Sequence, residues 1–133
     1  MIDPADVFLR KARESLDGAE SEATDGRFNN CANRCYYACY QAAVAALMQA
    51  GVRTPGTRGQ WSHEYVPAQF AGLLIQRRKL YPSSLRDALA RTRAMRQIAD
   101  YEDKMIPREQ AERLVRRARE FVDAVAQRSG GST

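Results

Sequence analysis

Two arginines stand inside otherwise apolar helical stripes. Arg34 lies in Asn33-Arg34-Cys35-Tyr36-Tyr37-Ala38-Cys39-Tyr40-Gln41-Ala42-Ala43, and Arg96 in Arg96-Gln97-Ile98-Ala99-Asp100-Tyr101. A guanidinium among apolar neighbours is costly unless a carboxylate or a phosphate satisfies it. At about 100° per residue, Arg96 falls between Leu85, Leu89, Thr92 and Ala99, while Tyr101 points to a different face. Arg93 precedes Arg96 by one turn and Asp100 follows it by one. These three predict a polar cluster at a core edge, either an ion pair that fixes packing or an anion site. Arg34 shares its stripe with Tyr37, Ala38, Gln41, Ala45 and Met48. Asp100 is its expected partner across the core, which would leave Arg96 to meet an anionic ligand.

Other side chains offer less chemistry. Tyr36, Tyr37 and Tyr40 carry rings of the kind that stack on RNA bases, but on a central helix they read first as core aromatics with hydroxyls at the surface. His63 is the sole imidazole and sits beside Trp61 at a helix start, where a histidine is more often structural than catalytic. Cys31, Cys35 and Cys39, spaced four apart, make one drifting helical stripe. Zinc needs a fourth ligand, and an odd number on one rigid helix builds no disulfide framework. The three read as small buried residues at a close helix contact. The sequence holds no Gly-rich phosphate loop, HExxH pair or spaced carboxylate set, so neither metal nor cofactor is expected.

The elements that must position these residues are helices. Asp3-Pro4 opens the first, with Asp as N-cap and Pro at N1. Phe8, Ala12, Leu16, Ala19 and Ala23 line its apolar side, and Asp25-Gly26 ends it. A second helix over about 27–50 is apolar on nearly all sides, so it is the central one, and Gly51 closes it. Residues 52–62 read as a flexible basic loop of the kind that often carries function. A shorter helix follows over about 63–76, with Val66, Phe70, Leu73 and Leu74 on its apolar face and Pro67 in its first turn. Tyr81-Pro82-Ser83-Ser84 breaks the chain before a fourth helix, and Ile106-Pro107 starts a fifth. In the fifth, Ala111, Leu114, Val115, Ala118, Phe121, Val122 and Val125 keep helical spacing.

The expected fold is all-α: an antiparallel up-and-down four-helix bundle with one extra short helix. It forms a single domain over residues 1–128, with a disordered tail at 129–133. The 133 residues suffice for one core. No apolar stretch approaches the roughly 18–20 residues that span a bilayer, and Met1-Ile2-Asp3-Pro4 has no signal layout; a soluble cytoplasmic protein without membrane contact is expected. The net charge of +5 is supplied mostly by arginine, which suits phosphate contacts. Arginine and alanine richness also follows from high-GC coding, so the charge permits nucleic-acid binding without showing it. In the last helix Arg108, Arg113, Arg116, Arg117 and Arg119 alternate with Glu109, Glu112 and Glu120. That mixture is a solvated face before it is a phosphate track.

Three segments in order resemble a known family. Asn33-Arg34-x-Tyr36-Tyr37-Ala38-x-Tyr40-x-Ala42-Ala43 is similar to the second-helix signature of small prokaryotic HEPN-domain proteins. His63-x-x-Val66-x-x-x-Phe70 resembles the stretch they carry next, and Arg96-x-x-Ala99-Asp100-Tyr101 their late-helix motif. The resemblance spans about residues 5–126. It implies a helical bundle, usually a homodimer, with the motif helices lining a shared cleft. It also implies an RNA or nucleotide ligand and a minimal nucleotidyltransferase partner, the two proteins forming a toxin–antitoxin pair. Active members are metal-independent endoribonucleases whose arginine is followed, after four to six residues, by a histidine. Arg96 matches the arginine, with Asp100 and Tyr101 beside it. Asn33, Arg34, Tyr37 and Arg93 would bind or orient the ligand. Tyr101 stands where the earliest histidine would be, with Glu102 and Asp103 at the later positions. Tyrosine, with an unperturbed pKa of about 10, is a poor general base. His63 could substitute only if folding or dimerisation brings it to Arg96. A ribonuclease, a non-catalytic RNA- or partner-binding module and a helical scaffold are the three functions this leaves open.

Overall fold

The computed structural model describes residues 2–54 and 59–131. Among these residues five α-helices follow in order: α1 (Pro4–Thr24), α2 (Phe28–Gln49), α3 (Tyr65–Gln69), α4 (Ser84–Tyr101) and α5 (Arg108–Gly131). A π-helical stretch, Phe70–Arg77, continues α3 without a break. No strand occurs among the described residues.

The helix ends follow the local sequence. The Asp3 side chain accepts a hydrogen bond from the Ala5 amide at 2.9 Å, with Pro4 starting α1. Gly26 (φ 79°) and Gly51 (φ 82°) adopt the left-handed conformation that ends α1 and α2. Ser83 precedes α4 without a side-chain cap.

Helix α2 packs against every other helix. Its run of alanines and cysteines lets neighbouring backbones approach, and Cys31, Cys35, Cys39 and Ala42–Ala45 are fully buried. Helix α1 meets it with Ala12, Leu16 and Ala19. Helix α5 turns Ala111, Leu114, Val115, Ala118, Phe121, Val122 and Val125 inward, the whole expected face. Phe70 packs between Tyr81 and Phe121, at 5.2 and 5.0 Å between ring centres. One buried cluster thus joins all the helices.

Two expectations need correction. The segment after His63 is a short α-helix followed by a wider π-turn, in which the Arg78 amide donates to the Leu73 carbonyl at 2.9 Å. Val66, Phe70 and Leu74 are buried at strict four-residue spacing, longer than the 3.6 of an α-helix, and the wider winding keeps them on one side. The tail expected from residue 129 is instead helical as far as Gly131. Ser132 and Thr133 lie outside the described residues, as do residues 55–58 of the expected basic loop. No helix of the described residues is long and apolar enough to cross a membrane.

Candidate functional site

Helix α4 carries Arg96 to the edge of α2, and three tyrosine rings surround its guanidinium. The Arg96 Cζ lies 5.4 Å from the ring centre of Tyr36, 5.5 Å from Tyr37 and 5.8 Å from Tyr101. Each distance is within the range of a cation–π contact. Tyr101, expected on another face, therefore reaches back to Arg96, while its ring stays 68% exposed. Asp100, one turn on, accepts a hydrogen bond from Arg96 Nε at 3.1 Å. No described residue hydrogen-bonds to the two terminal nitrogens of Arg96. The aspartate holds Nε and the rings border the guanidinium, and the Arg96 side chain keeps 20% of its surface exposed.

His63 reaches the same tyrosines from the segment before α3. The imidazole stacks on Tyr40 at 4.8 Å and 22°, and on Tyr36 at 5.6 Å and 21°. The Tyr37 ring stands edge-on to it at 6.4 Å. Its Nδ1 is hydrogen-bonded with the Tyr36 hydroxyl, and the Tyr40 hydroxyl donates to the Trp61 carbonyl. A turn built by Ser62 presents the ring. The Ser62 hydroxyl accepts from the Tyr65 amide at 2.9 Å, and the Ser62 carbonyl from the Val66 amide at 3.1 Å. Tyr65 then donates its hydroxyl to the Arg53 carbonyl at 3.2 Å, tying the turn to the segment that follows α2.

The electrostatics of this nest have identifiable causes. Burial, then the positive charges of Arg96 and Arg93, lower the His63 pKa from its ordinary 6.5, with Glu64 opposing. Burial pushes the Tyr36 hydroxyl up to about 12 against the pull of Arg93, and burial also raises Tyr40. At neutral pH the site therefore holds phenols, a neutral imidazole and fixed guanidinium charges.

The remaining expected residues divide. Asn33 joins the nest, donating to Asp100 at 3.0 Å. Arg34 does not. It is exposed, its stem lies over Gly18 of α1, and Asp100 binds Asn33 and Arg96 in its place. One position along α2 is a rotation of about 100°, enough to turn Asn33 towards α4 and Arg34 towards α1. A long side chain can rest its methylenes on a neighbour and keep its head in water. Arg93 is also outside the expected cluster, pairing with the exposed Glu64 at 3.3 Å. Beyond Arg93, an apolar groove of about 550 Å³ runs between α3 and α4, lined by Pro67, Ala68, Ala71, Leu89, Ala90 and Ala94.

Two contributions went unread in the sequence: Glu64 as partner of Arg93, and Tyr36 as the ring shared by Arg96 and His63. The second had a signal, because Tyr36 and Tyr40 are one turn apart and Tyr37 is adjacent. The cysteines behave as expected of packing residues. All three are buried free thiols, and burial pushes Cys39 up to about 12. Among the described residues, no group of three His, Cys, Asp or Glu side chains is placed to hold a metal ion.

The nest offers an oriented cation, exposed aromatic surface and an imidazole within one constellation, which suits a phosphodiester with an adjoining base. Comparison with curated proteins returns no match. The HEPN domain model matches residues 5–128, from α1 into the last turns of α5, and the chain belongs to the HEPN domain family.

Proposed function

We propose that this protein is RNA-directed and acts as the toxin-like half of a toxin–antitoxin module, as a metal-independent endoribonuclease. The observation that carries the reading is the state of Arg96. Its Nε is held by Asp100, three tyrosine rings lie within cation–π distance of its Cζ, and its terminal nitrogens have no hydrogen-bond partner among the described residues. That arrangement is prepared for two parallel hydrogen bonds to a phosphate. A cation so fixed would stabilise charge developing at phosphorus without reorganising. Family membership supports RNA as the source of that phosphate. The three-residue link between α1 and α2 supports an antiparallel up-and-down order of the helices.

We further read the working unit as a homodimer, controlled by a nucleotidyltransferase partner. The test is incubation of defined RNAs with the purified protein in EDTA, comparing wild type with Arg96→Ala. Cleavage should fall by about 100-fold or more, the loss seen when one charge-stabilising donor is removed. Growth inhibition should vanish with it while the helical circular-dichroism signal persists. Cleavage at the wild-type rate in that variant would sink the assignment. Tyr101 in place of a histidine favours one second reading, a dimeric HEPN module that holds RNA, a nucleotide or a nucleotidyltransferase partner without cutting. Salt-dependent binding of RNA that stays intact selects that reading.

A further inference from the structure

His63 and Arg96 come from different elements, yet both press on Tyr36 and Tyr37. We propose that His63 is the proton-accepting group of this site, taking the 2′-hydroxyl proton of a bound RNA strand while Arg96 holds the adjacent phosphate. The proposal rests on the reading of the Arg96 nest as an RNA site.

The mounting of the ring is the first argument. Two stacked tyrosines set its plane, and the contact of Nδ1 with the Tyr36 hydroxyl sets its rotation. The Tyr40 hydroxyl anchors the peptide two residues before it. Packing alone would need none of this angular control. The second argument is what the mounting leaves over. The ring is only half-buried, and Nε2 has no hydrogen-bond partner among the described residues. One nitrogen is engaged by Tyr36, and no described residue hydrogen-bonds to the other.

The third argument is charge. The groups facing the imidazole are Tyr36, Tyr37, Tyr40, Arg93, Arg96 and Glu64. Burial and the two arginines favour the neutral ring over the imidazolium, so a proton acceptor is present at neutral pH. Tyr36 stays a phenol, and the role requires the tautomer in which Nδ1–H donates to the Tyr36 oxygen, leaving the lone pair on Nε2.

The step balances without an added reactant. Nε2 takes the 2′-hydroxyl proton as O2′ bonds to phosphorus and the bond from phosphorus to the 5′-oxygen breaks. The departing oxygen takes a proton from water, and the imidazolium returns its own to the hydroxide so formed. The products are a 2′,3′-cyclic phosphate and a 5′-hydroxyl.

The test compares wild type, His63→Ala and His63→Gln on one single-stranded RNA in EDTA. Its 2′-deoxy counterpart serves to measure binding. Both variants should cleave about 100-fold more slowly or worse, the usual range for a lost acid–base group, while binding the deoxy strand as wild type does. Free imidazole should restore part of the His63→Ala rate, and the acid limb of the pH–rate profile should disappear in His63→Gln. Wild-type cleavage by both variants overturns the proposal but leaves the RNA site standing. A wild-type protein that binds the strand and leaves it whole does the same; one that neither binds nor cuts overturns both. Recovery of His63→Ala on a substrate with sulfur in place of the bridging 5′-oxygen would identify His63 as a proton donor, and so overturn the assigned role.

Discussion

Helix α2 carries two ladders of the same pitch. Cys31, Cys35 and Cys39 form one; Tyr36 and Tyr40, shifted by one residue, form the other. Their fates differ because of what lies across from each. The cysteines face α5 and α4, where Cys31 meets the Ala111 carbonyl at 3.9 Å and Cys39 meets the Thr92 hydroxyl. All three thiols are buried and unbridged, and among the described residues no buried side-chain nitrogen or oxygen is left without a partner. The tyrosines face the turn before α3 and the end of α4, and their rings and hydroxyls hold His63 and border Arg96. Spacing on a helix sets a direction; chemistry depends on which element arrives from the other side.

Substitutions can break this contrast. The largest effect is expected at Tyr36, which is 1% exposed and yet belongs to the site. Tyr36→Ala should destabilise the fold by about 3–5 kcal/mol, the range for truncating a buried aromatic. Chemical denaturation measures that loss, and RNA cleavage per folded molecule should fall as well. On the cysteine ladder, Cys35→Leu adds volume to a fully buried site. It should cost about 1–3 kcal/mol by overpacking and leave the activity of the folded fraction unchanged. An equal loss of activity at both positions would erase the distinction between the ladders.

The smallest effect is a titration. The His63 imidazole should titrate by NMR below 6.5, and Arg96→Gln should move the midpoint up. Because the folded state disfavours the imidazolium, the unfolded chain binds more protons there. Stability should therefore decline as pH falls from the ordinary imidazole value towards the lowered one. In His63→Gln that part of the pH dependence of the melting temperature should be absent.

Local rules made much of this fold legible. Asp3-Pro4, Gly26 and Gly51 mark helix ends because caps and left-handed turns are decided within a few residues. The α5 face was readable because seven apolar residues keep one period. Arg34 was misjudged because a stripe that is apolar on nearly all sides gives no orientation, and one residue of rotation decides between α1 and α4. The π-stretch escaped because periodicity over two turns barely separates 3.6 from four. The meeting of His63 with Arg96 is a tertiary event. Thirteen residues of sequence, 50–62, separate α2 from His63, and no spacing rule crosses them.

Trp61 is the sole tryptophan of the chain, and its carbonyl is the group that Tyr40 grips. Its indole lies 6.2 Å from the Tyr65 ring, and His63 follows two residues later. The protein thereby carries its own optical gauge: indole emission, free of any other tryptophan's background, will register displacement of the imidazole-bearing turn in real time and without a label.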